Sequence, residues 1–338
     1  MPNDINEKRI EEELNQNGYP IKYISKLELG YSFASKYYAV VQDGVKLLVR
    51  THLSKKLFTQ CKQIFQQGGK IQEPLNYIES SVPMAVFRWV DGETVADNLK
   101  TARADIYHKI KLGVQAADTL HRLQNCVLTE MECRAPLSLE VEHYVSLLRE
   151  KKLNFPLKEE ICHYAIDHIF SCDRVSLVHM DFHTQNLILS PNEKEIHIID
   201  YENLTISDPW RDFTYFGIKP EDTETLFWYA TILSYFDCHI PNEFWETVKL
   251  YTVIQLIRII LHEYEYSPEK ASFVAEKISN TIQKWYSNSE WPLPPWMRRY
   301  DMHKNEIAEI IKNPTLELPA GYPHIQPESS RLSNPLRQ

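Results

Sequence analysis

Val178-His179-Met180-Asp181-Phe182-His183-Thr184-Gln185-Asn186, followed by Ile198-Ile199-Asp200-Tyr201-Glu202, decides how this chain is read. The stretch supplies the groups that phosphoryl transfer demands. Asp181 is a carboxylate able to accept a proton from an attacking hydroxyl. Asn186 and Asp200 are hard oxygen donors suited to Mg²⁺. The hydrophobic runs between them say how they meet. Leu187-Ile188-Leu189 and Ile196-His197-Ile198-Ile199 read as two short strands, and Ser190 to Glu195, with Pro191 and Asn192, reads as their turn. Pairing those strands returns Asp200 to the side of Asn186. Alone, Asp181 would read as a carboxylate capping a turn; beside Asn186 and Asp200 at this spacing it reads as a catalytic base. His183 reads as a loop-holding side chain, and His179 and His197 as histidines of the core or its rim.

Upstream of this motif the pattern is strand-rich. Ile5 to Asn17 reads as an opening helix, stopped by Asn17-Gly18-Tyr19-Pro20. Ile24 to Leu29, Lys36 to Gln42 and Val45 to Arg50 read as strands, with Asp43-Gly44 as a two-residue hairpin turn. Ser54 to Gln67 reads as a helix with Leu57, Cys61, Ile64 and Phe65 at helical spacing, ended by Gly68-Gly69. Leu75 to Ile78 and Pro83 to Val90 complete a small sheet. Beyond Gly92 the pattern turns helical: Asp105 to Leu123, Leu139 to Glu150, Lys158 to Phe170, Glu221 to Tyr235, Glu243 to Tyr266 and Pro268 to Tyr286. From Pro314 onward, repeated prolines predict an extended tail, wrapped on the surface or disordered. There is no internal repeat.

Composition narrows the class. The chain has 338 residues, 43% of them hydrophobic, enough for about two domains. A net charge of −9 disfavours a nucleic-acid partner and suits a cationic small molecule. The six cysteines are scattered without a C-x-x-C pair and read as buried free thiols. Met1 to Glu13 is too polar for a signal peptide, and the apolar run Val253 to Leu261, broken by Gln255 and Arg258, is too short to span a bilayer. No membrane partner and a cytoplasmic setting are expected.

Asp181-x-His183-x-x-Asn186 followed by Ile199-Asp200-x-Glu202 resembles the catalytic and metal-binding segments of the aminoglycoside phosphotransferase family, small-molecule kinases related to protein kinases. Asp208-Pro209-Trp210-Arg211-Asp212, Trp89-Val90-Asp91-Gly92-Glu93 and Thr119-Leu120-His121-Arg122-Leu123 are similar to further family segments in the right order. The resemblance extends over about three quarters of the chain, with the central motif its specific part. It implies an α+β, two-lobe, protein-kinase-like fold: a nucleotide-binding N-lobe over residues 1–90, a catalytic and acceptor-binding C-lobe over 91–313, and the tail 314–338.

The resemblance also implies a site. Asp181 would be the base, and Asn186 and Asp200 the Mg²⁺ ligands. Adenine of ATP would bond backbone near Arg88 and Val90, although a plain buried strand explains that run equally well. Leu29 to Ser35, with Ser32 as a hydroxyl donor, would be a loop over the phosphates or an ordinary hairpin. Glu202 and Asp208 would face the acceptor, Asp212 would support the structure, and Trp291 and Trp296 would either wall an acceptor pocket or pack as surface aromatics. Three departures stand out. The phosphate-gripping Lys of the third strand is replaced by Arg50, with Lys46 as the fallback. The helix from Ser54 to Gly68 has no acid to orient that cation. Met180 stands where a Gly is expected. The function implied is ATP- and Mg²⁺-dependent phosphorylation of a hydroxyl on a small, amine-bearing molecule, an antibiotic or a metabolite. The competing expectation is a kinase-like binding protein with weak or lost turnover. A protein kinase is disfavoured because no activation segment separates Asp200 from Asp208.

Overall fold

Alternating hydrophobicity upstream of the motif resolves into five antiparallel strands, with the fold of a small sheet-bearing N-lobe and a mostly helical remainder expected of a kinase-like α+β protein. The computed structural model describes residues 7–27, 35–101, 105–130, 133–151, 153–192, 194–217, 222–286 and 293–313. The loop residue Ser32, Trp291 and the proline-rich tail lie outside them.

The chain divides into two compact units. The first holds residues 1–95, 119–134 and 172–212, so the catalytic stretch belongs with the N-terminal sheet. After helix α1 (Glu7–Gln16), strands β1 (Ile21–Leu27), β2 (Lys36–Val41), β3 (Lys46–Thr51), β4 (Pro74–Ile78) and β5 (Met84–Arg88) form a sheet in the order β1-β2-β3-β5-β4. The β2–β3 hairpin turns at Asp43-Gly44, but Val41 pairs with Val45, so Gln42 joins a three-residue loop where the sequence predicts a two-residue turn. Gly44 supplies φ 90°, and the register pairs Lys36 with Arg50 and Val40 with Lys46.

Period-two alternation sends the two faces of this sheet to different tasks. Tyr37, Ala39, Val41, Leu47, Val49, Met84 and Val86 bury one face against Ile10 and Leu14 of α1. Lys36, Leu48, Arg50 and Phe87 alternate with these residues and occupy the other face. There Phe87 packs on Phe58 of helix α2 (Lys55–Gln66) and on Tyr201 of the catalytic stretch, with ring centroids 5.6 and 5.8 Å apart. Helix α2 starts where the sequence says it should: Ser54 caps it, its hydroxyl accepting from the Leu57 N–H at 3.1 Å.

The predicted catalytic hairpin forms as β8 (Leu187–Leu189) and β9 (Ile196–Ile198). A two-residue strand, β6 (Glu93–Thr94), joins its free edge, and the Ile198 N–H donates to the Lys70 carbonyl at 2.7 Å. These bonds make sheet and hairpin one unit. Two further short strands, β7 (Ser176–Val178) and β10 (Thr205–Ser207), pair with each other beside the catalytic loop.

The second unit holds residues 96–118, 135–171 and 213–338, and its described part is helical. It contains α3 (Val95–Leu99) and the first turns of α4 (Ile106–Gln124), then α5 (Leu137–Glu150), α6 (Lys158–Asp167), α7 (Thr214–Gly217), α8 (Asp222–Tyr235), α9 (Phe244–Tyr266), α10 (Pro268–Tyr286), α11 (Arg298–Asp301) and α12 (Lys304–Lys312). Helix α9 is apolar nearly all round and is accordingly buried, packing with α5, α6, α7 and α10. Trp228 and Trp285 are core residues. No described helix is long and apolar enough to cross a membrane. A cavity of about 640 Å³ opens among α6, α9 and α10, beside the buried Lys249.

Candidate active site

Strand β7 delivers the chain into the catalytic loop, and a buried carboxylate fixes its conformation. Asp212 accepts from the backbone N–H groups of His179 and Met180 at 3.2 and 2.8 Å, and from Gln124 Nε2 at 3.0 Å. Burial pushes the Asp212 carboxyl up to about 6 despite those donors. Met180 sits at φ 66°, in the left-handed region, where a side chain costs about 1–2 kcal/mol. The turn that a glycine would have made freely is therefore held by Asp212 instead. On its other side, the His179 ring lies fully buried with Nε2 3.1 Å from the Ile199 carbonyl. Burial pushes its pKa down to about 4, so the ring is neutral and its Nε2 is the donor. His179 thus clamps the catalytic loop to the residue preceding Asp200.

Past His179, Phe182 is buried and the flanking Asp181 and His183 remain partly open. His183 Nε2 lies 3.6 Å from Asp181 Oδ1. Asn186 donates its Nδ2 to both the Asp181 backbone carbonyl and Asp181 Oδ2, each at 2.9 Å. With the amide nitrogen turned to Asp181, Asn186 Oδ1 is the atom left for a cation. The Ile199 N–H donates to the Asn186 carbonyl at 2.9 Å, which brings Asp200 beside Asn186 as strand pairing requires. Asp200 itself adopts φ 63°, a conformation that Asp tolerates better than most residues.

The sheet contributes cations to the same place. Arg50 on β3 is 1% exposed, its Nη2 on Glu202 and 3.4 Å from Asp200 Oδ1. Tyr201, fully buried between the two acids, lies with its ring 6.0 Å from the guanidinium and donates its hydroxyl to Gln72 at 3.3 Å. Lys36, directly opposite Arg50 on β2, reaches both oxygens of Asp200 at 3.2 Å. Sequence reasoning missed Lys36: a two-residue Asp43-Gly44 turn sets residue 37 against residue 50, and the observed pairing of 36 with 50 comes from a loop one residue longer, with Val41 opposite Val45. Lys46, the fallback cation, lies at the far end of β3, about 13 Å along the strand at ordinary rise. It is bonded to Asp91 at 2.6 Å, away from Asp200.

Other expected site residues are placed differently. Glu202 meets Arg50 in place of the expected acceptor contact. Asp208 is buried and accepts from Arg174 Nε and Nη2 at 3.2 and 2.9 Å, from the Cys172 thiol at 2.9 Å and from the Trp210 N–H at 3.0 Å. A carboxylate so fully engaged anchors the turn after β10; it is not presented to an acceptor. Arg88 is exposed, its side chain on Glu73, and its N–H is spent on the Glu73 carbonyl. That amide is therefore unavailable to adenine, while Val90 follows half-buried just past the sheet. In the helical unit, Trp296 donates its indole N–H to the Phe216 carbonyl at 3.2 Å and packs on Trp285, as a structural aromatic does.

Gly92 explains itself here. At φ 144°, a Cβ on it would lie 2.0 Å from the Leu189 carbonyl oxygen, so only glycine lets the chain pass this close to β8.

Residues 46–236, more than half of the chain, match the family model described as the phosphotransferase enzyme family. No curated protein matches by sequence. Among solved structures, the chain is similar to an aminoglycoside 2'-phosphotransferase-IIIa in its GDP complex, at 15% identity and a TM-score of 0.65, covering 82% of this chain and 99% of that one. It is similar to the aminoglycoside phosphotransferase APH(4)-Ia, in a ternary complex with AMP-PNP and hygromycin B, at 12% identity and a TM-score of 0.61, over 83% and 99% of the two chains. A choline kinase from Cryptosporidium parvum shares 12% identity with a TM-score of 0.53, over 93% and 97%.

Proposed function

The chain belongs to the phosphotransferase enzyme family of aminoglycoside phosphotransferases and is a small-molecule kinase; from that premise we propose that it transfers the γ-phosphoryl group of Mg·ATP to a hydroxyl of a small, amine-bearing acceptor. The observation that carries this reading is the cluster of Asp181, Asn186 and Asp200 on one loop and hairpin, faced by Arg50 and Lys36 from the sheet. Asp181 would accept the acceptor's proton late in transfer, its carboxylate oriented by the Asn186 amide. Arg50 would hold the nucleotide phosphates.

The donor set fits Mg²⁺. Among the described residues no three His, Cys, Asp or Glu side chains gather into a metal cage. Two oxygen donors suit an ion that completes its shell with nucleotide phosphates and water. When bound, the ion supplies charge neutralisation at the phosphoryl oxygens. GDP and AMP-PNP in the similar structures support a nucleotide donor, and ATP is our assignment. An amine-bearing acceptor is supported by the net charge of −9, and hygromycin B and choline kinase in the comparison structures exemplify the class.

Thermal shift with Mg·ATP tests the nucleotide site. Asp200→Ala should lose the Mg²⁺-dependent part of the ATP-induced rise in Tm. A variant that folds and still shows the wild-type rise, with the same Mg²⁺ dependence, would contradict the assignment.

A further inference from the structure

A buried guanidinium needs a carboxylate, and in this chain the usual source is missing. Protein kinases orient their phosphate-gripping cation with a Glu on the helix after the third strand. Helix α2, reading Lys-Lys-Leu-Phe-Thr-Gln-Cys-Lys-Gln-Ile-Phe-Gln, contains no acid at all. Arg50 is nevertheless 1% exposed, a burial that is costly for an unpaired charge. We propose that Glu202 is the positioning residue for Arg50, so that the single tripeptide Asp200-Tyr201-Glu202 carries both the metal ligand and the carboxylate that orients the cation. The proposal deepens the reading of this site as a Mg·ATP site and rests on it.

The geometry explains how one tripeptide serves both ends. Asp200 takes a left-handed turn at φ 63° and Tyr201 is buried beneath, so the two acids flank a residue locked into the core. Tyr201 is fixed by Phe87 at 5.8 Å and by Gln72. Glu202 then binds Arg50 Nη2, while Asp200, 3.4 Å from the same nitrogen, is shared with Lys36. The Arg50 Nε–H is buried without an acceptor, so the guanidinium keeps donor capacity beyond the Glu202 bond. Two consequences follow. A swing of α2, which breaks the cation–carboxylate pair in protein kinases, cannot break it here, because the carboxylate is not on that helix. Displacing the loop at 200–202 disables metal ligand and cation together.

Calorimetric titration of Mg·ATP into the full-length protein, with Mg²⁺ titrated separately, tests this. Glu202→Gln should weaken Mg·ATP binding about tenfold, with the Mg²⁺ concentration for half-saturation unchanged. Glu202→Asp, which keeps the charge, should restore affinity to within about threefold of wild type while guarding against loss of folding in the Gln variant. Arg50→Ala combined with Glu202→Gln should bind no more weakly than Arg50→Ala alone, because the acid acts through the cation. Multiplying effects in the double variant would overturn the proposal. So would a shifted Mg²⁺ requirement, which would make Glu202 a metal ligand, or unchanged Mg·ATP affinity in a folded Glu202→Gln. If wild type itself binds no Mg·ATP, the nucleotide reading falls and takes this proposal with it.

Discussion

At the scale of single residues, the site is held by two buried titratable groups whose protonation has opposite effects on stability. His179, held at about 4 against an ordinary 6.5, stays neutral in the fold. Between about pH 6.5 and 4 the unfolded chain therefore takes a proton that the folded chain refuses, and stability falls as the pH drops through that window. Asp212, held at about 6 against an ordinary 3.8, has the opposite sign: the folded chain takes its proton first, so stability rises as the pH drops from 6 towards 4. The two contributions, each about 3 kcal/mol, largely cancel in wild type. His179→Gln keeps a donor for the Ile199 carbonyl and removes only the first. Measured by urea unfolding, that variant should gain about 2–3 kcal/mol relative to wild type between pH 7.5 and 4.5. A wild-type–variant difference that does not change with pH would contradict the buried, neutral assignment of His179.

At the scale of elements, close approach of backbones decides what the sequence must be. Gly92 runs against β8 where Glu93 pairs with Leu189, and a Cβ would meet the Leu189 oxygen at 2.0 Å. Gly44 has a similar sign of φ, 90°, but open space around it. Gly92→Ala should therefore destabilise by at least about 2 kcal/mol, and Gly44→Ala by only about 1 kcal/mol. Equal losses in chemical denaturation would show that the β6–β8 approach is not tight. The catalytic hairpin, the β2–β3 hairpin and the long helices were all legible, because their hydrophobic runs are bounded by turn residues and their partners are near in sequence. Strands β6, β7 and β10 were not, since two or three residues carry no periodicity. The sequence pattern starts the first strand at Ile24, whereas β1 starts at Ile21, because its start follows its pairing with β2 and not its own pattern; Glu28 and Leu29 lie outside the described residues. Within the site, Asp181, Asn186 and Asp200 could be read from spacing. The partners of Glu202 and Asp208 could not: Arg50 lies 152 residues from Glu202, and Arg174 lies across the β7–β10 ladder from Asp208.

At the scale of the whole molecule, the chain commits two carboxylates and a carboxamide to one loop-and-hairpin and backs them with a sheet face. Other residues of the first unit hold that arrangement: Asp212 and His179 the loop, Tyr201 and Phe87 the turn at Asp200, Gly92 the approach to β8. Such preorganisation serves turnover more than ground-state binding, because a base matters when the proton moves and little before. Single-turnover transfer of labelled γ-phosphate to a panel of aminoglycosides and amino alcohols, compared between wild type and Asp181→Asn, tests this account most directly. The Asn variant should bind Mg·ATP and the acceptor within a few-fold of wild type and transfer phosphate on the order of 10²–10⁴-fold more slowly. Wild-type transfer rates in the Asn variant would remove Asp181 from the mechanism, and Mg·ATP binding by wild type without transfer to any acceptor in the panel would contradict the account of a working phosphotransferase.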